Sequence, residues 1–151
     1  DRKKTWELLQ MINPVNRGNT REKISIYKTE PYVMAADVYA EPMHKGRGGW
    51  TWYTGSAGWM YQLIIGSFIG FKKEGDTLSF TPCVTLEWPA FEISYRFGES
   101  NYHIQFIQTT SGKAGMSVTV DGALQENNSI QLINDGNTHQ VMIELFTISS
   151  A

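Results

Sequence analysis

The stretch Gly46-Arg47-Gly48-Gly49-Trp50-Thr51-Trp52-Tyr53-Thr54-Gly55-Ser56-Ala57-Gly58-Trp59-Met60-Tyr61 decides how this chain reads. Its glycines permit tight turns and close backbone approach, its indoles offer flat apolar faces, and its hydroxyls can cap a helix. A strongly apolar segment, Met60 to Ile69, follows at once. Thr54-Gly55-Ser56 therefore falls where a loop turns into a helix, with Ser56 as the candidate N-cap and the helix running to about Ile69. First-turn N–H groups lack intrahelical partners and sit at the positive end of the helix dipole, so the junction suits an anion. The same residues also fit a plain structural reading: a glycine-punctuated helix start whose aromatic side chains pack into a core.

Outward from this stretch the chain has two grammars. In the helix after Ser56, Ala57, Met60, Leu63, Ile64, Ile65, Phe68 and Ile69 cover most of the circumference, which predicts burial on nearly all sides. Upstream, Asp1 to Asn13 reads as a helix capped by Asp1, striped by Trp6 and Leu9, and ended by Pro14. Thr20 can cap a short second helix, and Glu30-Pro31 opens a further one through Val33 and Val38 that closes at Pro42. Helices this short cannot enclose the last one. The helical half therefore reads as the tail of a larger all-helical body whose other helices precede Asp1.

From Gly75-Asp76 onward the period changes from 3.6 to 2. Strands are predicted around Leu78–Thr81, Phe91–Phe97, Tyr102–Ile107, Met116–Val120, Ile130–Ile133 and Gln140–Leu145. Gly98, Gly112, Asp121-Gly122, Asn127-Asn128 and Asp135-Gly136 punctuate them as turns. The expectation is an all-β antiparallel sandwich.

The totals exclude several classes. A net charge of −2 over 151 residues supplies no basic field for nucleic acid. One cysteine, Cys83, allows no intrachain disulfide and reads as a small hydrophobe in a strand context. Gln62, Gly66, Ser67 and Gly70 interrupt the longest apolar run, so no membrane span is predicted. No metal cluster is apparent: His44, His103 and His139 are scattered, and only His44, in the loop before Gly46, is a candidate site residue. Glu30 and Asp37 are the carboxylates near the loop. Gly46-Arg47-Gly48-Gly49 lacks the preceding strand that a dinucleotide fingerprint requires.

These residues carry a resemblance. Glu30-Pro31-Tyr32-Val33, the run from Gly48 to Met60, Asp76 with Leu78 and Pro82, and Trp88-Pro89 with Phe91 before Tyr95 resemble the C-terminal end of the family-94 inverting glycoside phosphorylases. They look most like the phosphorylase region of cyclic β-1,2-glucan synthetases and the 1,2-β-oligoglucan phosphorylases, with Asn13-Pro14-Val15-Asn16 in support. The resemblance runs from about Trp6 to Tyr95 and fades in the last three strands.

The resemblance implies the last helices of an (α/α)6 barrel over residues 1–74, with a phosphate-binding loop at 46–58. A C-terminal β-sandwich domain over 75–151 follows. It also implies inorganic phosphate as co-substrate, with no cofactor, and Thr54 and Gly55 as its ligands. Glu30, Tyr32, Arg47, Trp50 and Trp52 become candidate sugar-binding residues. The implied reaction is attack of phosphate on the anomeric carbon of a β-linked glucan, giving α-glucose 1-phosphate, with a single carboxylic acid protonating the leaving oxygen. That acid, and the arginine and histidine completing the phosphate site, lie upstream of the equivalent of Asp1 in the family, so the segment alone is expected to be inactive. Cellobiose-type members carry glutamine where Ala36 stands, which points to the β-1,2-glucan branch. The implied partners are a β-glucan oligosaccharide, phosphate, the rest of the barrel and a second subunit. The location is cytoplasmic, with room for a parent attached to the inner membrane through other domains. The rival class is a non-catalytic carbohydrate-binding or structural β-sandwich module, with Trp50, Trp52 and Trp88 as sugar platforms.

Overall fold

The computed structural model describes residues 1–30, 32–52 and 54–148, Thr54 by its backbone alone. The chain divides into two compact units, Asp1–Ile65 and Gly66–Ala151.

In the first unit the cap signals act as expected. Asp1 accepts from the Lys4 N–H at 3.1 Å and starts helix α1, Arg2–Ile12. Asn13 accepts from the Val15 N–H and starts the single turn α2, Pro14–Arg17. Thr20 Oγ1 accepts from the Lys23 N–H and starts α3, Arg21–Tyr27.

The helix predicted from Glu30 to Val38 does not form. The Val33 N–H donates to the Glu30 carbonyl in one turn, and the chain then extends into strand β1, Asp37–Val38. Its partner is β2, Gly48–Gly49, with Asp37 opposite Gly49. Ala36 and Tyr39 donate to the carbonyls of Trp50 and Arg47, so tertiary pairing takes the backbone groups that a helix would have used. Pro31, on which part of that prediction rested, lies outside the described residues.

Helix α4, Thr54–Gln62, starts two residues before the predicted Ser56 cap and continues as a π-helical segment, Leu63–Ile69. Trp59, Tyr61 and Leu63 are exposed, so α4 is not buried on nearly all sides. Among the described residues of this unit, the buried apolar ones are Leu9, Tyr27 and Val33.

The second unit is two sheets. Strands β3 (Phe71–Glu74), β4 (Thr77–Phe80) and β9 (Ser129–Gln131) form one sheet in the order β3-β4-β9. Strands β5 (Ala90–Phe97), β6 (Ser100–Ser111), β7 (Gly115–Val120), β8 (Ala123–Leu124) and β10 (Thr138–Ile148) form the other, in the order β5-β6-β10-β7-β8. Their inward residues, among them Leu78, Phe80, Tyr102, Ile104, Phe106, Val118, Ile130 and Val141, make the core. Asp121 and Gly122 both have positive φ (50° and 82°), the primed-turn geometry that Asp-Gly signals between two strands.

One expectation is corrected. The sandwich is not all antiparallel: β10 runs parallel to β6 from Thr138↔Asn101 to Ile148↔Ser111. Alternation of apolar and polar residues reports which face is buried but not strand direction. A parallel neighbour needs a long connection. The segment 112–137 supplies it and carries β7, β8 and β9 on the way.

A polar knot sets the start of this pairing. Ser100, fully buried, donates to Asp135 Oδ1 and accepts from the N–H groups of Asp135 and Gly136. Tyr102 exchanges hydrogen bonds with the backbone of Ile133, and the Asn101 N–H donates to the Asn137 carbonyl. His139 lies between Asp121 (2.8 Å) and Asp135 (3.2 Å), with its ring stacked on Tyr102. These bonds seat the first residues of β10 beside the first residues of β6. Among the described residues no helix is long and apolar enough to cross a membrane.

Candidate functional site

The β1–β2 hairpin presents the aromatic-glycine loop. Gly48 and Gly49 are buried, and neither tolerates a side chain. A Cβ on Gly48 would meet Thr29 Cγ2 at 2.9 Å and Tyr27 at 3.0 Å, and one on Gly49 would meet the Asp37 carboxylate at 2.4 Å. The glycine pair thus lets Thr29, Tyr27 and Asp37 close on the strand. The Thr29 hydroxyl is buried there without a hydrogen-bond partner.

Leaving β2, the chain takes two left-handed residues that are not glycine, Trp50 (φ 30°) and Trp52 (φ 62°). Such a conformation costs on the order of 1–3 kcal/mol per residue and persists where the surroundings over-determine it. Here it turns two indoles outward, 66% and 67% exposed.

The Trp52 indole N–H donates to Glu30 Oε1 at 3.1 Å, and the Tyr32 ring meets the Trp52 ring edge-on with centroids 6.5 Å apart. Glu30, Tyr32 and Trp52, distant in sequence, are therefore one cluster. The Glu30 carboxyl titrates below its ordinary value, first because of a hydrogen bond from its own backbone N–H and then because of the Trp52 indole. It is a charged acceptor near neutral pH, with lone pairs left for a further donor, and not a proton source. Sugar hydroxyls are donors of that kind, and flat exposed rings match the apolar faces of pyranoses.

Two residues after Trp52 the chain enters the first turn of α4. Gly55 is exposed there, with nothing within 4 Å of where a Cβ would lie. The Thr54 side chain lies outside the described residues. Arg47 is exposed, its backbone held by Tyr39 and His44, and the His44 ring stands 6.3 Å from that of Tyr39. Ser56 lines a cavity of about 370 Å³ with Ile12, Met34, Ala36, Trp59 and Met60.

Asp37, one of the two carboxylates near the loop in the sequence, lies against Gly49, whereas Thr29 was not legible as part of this arrangement. The adjacent glycines were the available signal: two in a row in a buried strand mean that something packs on both faces. The rival platform Trp88 is not on an open face. Its ring packs edge-on against Phe68 (5.5 Å) and Phe91 (6.1 Å).

Residues 1–70, which contain the whole cluster and the loop, match the family described as glycosyl hydrolase 94 superfamily, catalytic domain. Over these residues the chain belongs to the glycosyl hydrolase 94 superfamily. It is 37% identical over 122 residues to the cyclic β-(1,2)-glucan synthase NdvB of Rhizobium meliloti, covering 81% of the chain and 4% of that protein. An N,N'-diacetylchitobiose phosphorylase of Vibrio proteolyticus is 30% identical over 115 residues, 74% of the chain and 14% of the relative. A 1,2-β-oligoglucan phosphorylase of Listeria innocua is 23% identical over 137 residues, 82% of the chain and 12% of the relative.

The chain thus spans a small part of each glycosyl hydrolase 94 relative. With 122 of 151 residues aligned, at most 29 fall outside, so residues 30–122 are covered in NdvB. The alignment with NdvB therefore extends past Tyr95 and takes in β5, β6 and β7.

Proposed function

We propose that the chain is the C-terminal segment of an inverting glycoside phosphorylase that cleaves β-linked glucans, β-1,2-glucan in particular, with inorganic phosphate, releasing α-glucose 1-phosphate. The observation that carries this reading is the Glu30–Trp52–Tyr32 cluster, an ionised carboxylate among exposed rings, two residues before the first turn of a helix. The superfamily match and the glucan-acting names of two relatives support it.

In this reading phosphate attacks the anomeric carbon in line, one phosphate oxygen forming the C–O bond as the glycosidic C–O bond breaks. A carboxylic acid outside this segment delivers the proton to the leaving oxygen, so no catalytic residue lies in the 151 residues. The Thr54 hydroxyl and the N–H groups at Gly55 hold the phosphate, and its charge is balanced by the helix dipole. Glu30 Oε2 accepts a glucose hydroxyl, with Tyr32, Trp50, Trp52 and Arg47 lining the sugar. The helices of the first unit complete an (α/α)6 barrel whose remainder lies upstream. The exposed apolar side chains Leu8, Met11, Ile12, Trp59 and Leu63 fit surfaces meant to be covered by it. The segment works in the cytoplasm, in a parent with room for attachment to the inner membrane through other domains.

A carbohydrate-binding sandwich is not favoured. The outward positions Glu92, Ser94, His103, Gln105 and Gln140 carry no Trp, Tyr or Phe ring, while the exposed indoles Trp50, Trp52 and Trp59 precede the strands of the sheet unit.

The test is glucose 1-phosphate release from β-1,2-glucooligosaccharides by the intact parent protein in phosphate buffer. Phosphate-dependent release supports the reading, and hydrolysis to free glucose, or no cleavage of any β-glucan, overturns it. The isolated segment should release none.

A further inference from the structure

Trp52 keeps an unfavourable backbone for the sake of its side chain. The chain uses glycine freely around it, at Gly46, Gly48, Gly49, Gly55 and Gly58, yet the left-handed residue at position 52 (φ 62°) is a tryptophan. Such a conformation persists only where the surroundings over-determine it. Burial does not do so, because the ring is exposed. What holds the residue is the indole N–H, which donates to Glu30 Oε1 at 3.1 Å, and the Tyr32 ring, which stands at 76° to the indole. A hydrogen bond to an ionised carboxylate is roughly twice as strong as a neutral one.

The bond matters as much to Glu30. The backbone on either side of it is set: Thr29 packs on Gly48, and the Glu30 carbonyl accepts from the Val33 N–H. The side chain beyond turns about three bonds, and two donors fix the carboxylate at its end, its own backbone N–H and the Trp52 indole. With both in place the acceptor is aimed before a ligand arrives, and the rotamer freedom that binding would otherwise freeze is already lost. A stacking platform would need none of this. A flat apolar ring meets a pyranose face whatever its N–H does, so phenylalanine would serve as well.

We propose that Trp52 is a positioning residue for sugar recognition: its N–H sets the aim of the Glu30 carboxylate, and it acts through that bond and not through its ring face. The inference rests on the reading of this cluster as a glucan site, and adds which residue sets the acceptor of that site.

The experiment is steady-state phosphorolysis of β-1,2-glucooligosaccharides by the intact parent protein, comparing wild type with Trp52→Phe, Trp52→His and Trp52→Ala. Phenylalanine keeps a ring face and loses the donor, whereas histidine carries Nε2 at the ring position of the indole Nε1. The glucan KM should rise about two- to tenfold in Trp52→Phe, the range for one side chain that must now be ordered on binding. The kcat and the phosphate KM should hold, since the lost interaction serves ground state and transition state alike. Trp52→Ala should match Trp52→Phe, and Trp52→His should recover most of the wild-type KM. In a Glu30→Ala background Trp52→Phe should add nothing, because both changes remove one contact. A wild-type glucan KM in Trp52→Phe beside a raised one in Trp52→Ala overturns the proposal and makes the ring a platform. So does a rise in KM that survives in the Glu30→Ala background, or an effect confined to kcat or the phosphate KM. A wild-type protein that cleaves no β-glucan is a different failure: it removes the glucan reading, and this inference with it.

Discussion

Ser100→Ala tests what holds the parallel pair together. The side chain is fully buried, and its hydroxyl makes three hydrogen bonds of 2.9–3.0 Å, one donated to Asp135 Oδ1 and two accepted from the N–H groups of Asp135 and Gly136. Alanine keeps the Cβ and nearly all the volume, so no cavity term arises. The loss is the polar one. The two backbone donors lose their buried acceptor, at about 1 kcal/mol each, and somewhat more for being left unpaired, giving about 2–3 kcal/mol. For a domain the size of the sheet unit, each kcal/mol shifts Tm by about 4–8 °C, so the variant should melt on the order of 10–20 °C lower. Thermal unfolding followed by circular dichroism measures the shift. Amide exchange should place its onset at the start of β10, near Thr138. A decrease under about 2 °C, or early exchange spread evenly over all strands, would refute the role given to the knot.

The same knot predicts a pH profile for the sheet unit. The His139 pKa is raised, first by its bond to Asp121 and then by Asp135. Its contribution is therefore complete below about 6.5 and is lost as pH rises through the raised value. Asp121 is lowered chiefly by His139, and Asp135 chiefly by the backbone and side chain of Asn137, so their contributions are complete above about 3.9 and lost as pH falls further. Urea midpoints should peak between those limits, and His139→Asn should flatten the alkaline decline; an unchanged decline in that variant would contradict the assignment. In the first unit, Trp52→Phe removes the indole donor and should move the Glu30 carboxyl part of the way back up, read by carbon-detected NMR titration. The carboxyl should stay below its ordinary value, because its own N–H is the larger cause. An unshifted titration would show that the Trp52–Glu30 bond does not form in solution.

Much of the fold was legible because period and punctuation are local properties. Asp1 and Thr20 are caps whose side chains reach the N–H groups three residues on, and Asp121-Gly122 is a turn that few other dipeptides make. All six predicted strands form. What failed was non-local. Val33 to Val38 looked helical until β2 claimed its backbone donors, and strand direction for β10 depends on Ser100, Tyr102 and Asp135, which alternation does not reveal. Strand β3 carries no strand signal in the sequence, because Lys72, Lys73 and Glu74 give it little apolar content. The candidate site divides the same way. Glycines beside indoles flagged the loop, whereas the joining of Glu30 to Trp52 across twenty-two positions, and the packing of Asp37 on Gly49, required the hairpin.

The most direct test of the central claim is phosphorolysis by the intact parent protein, wild type against Thr54→Val, with glucose 1-phosphate release from β-1,2-glucooligosaccharides followed over a phosphate series. Valine keeps the shape of threonine and removes the hydroxyl proposed to hold the phosphate. The account predicts release lower by about 10²-fold or more, the scale seen for losing one positioned donor to a developing charge, with only partial recovery at high phosphate. Equal release by both proteins, with the same dependence on phosphate, would remove the loop from the phosphate site and contradict the account.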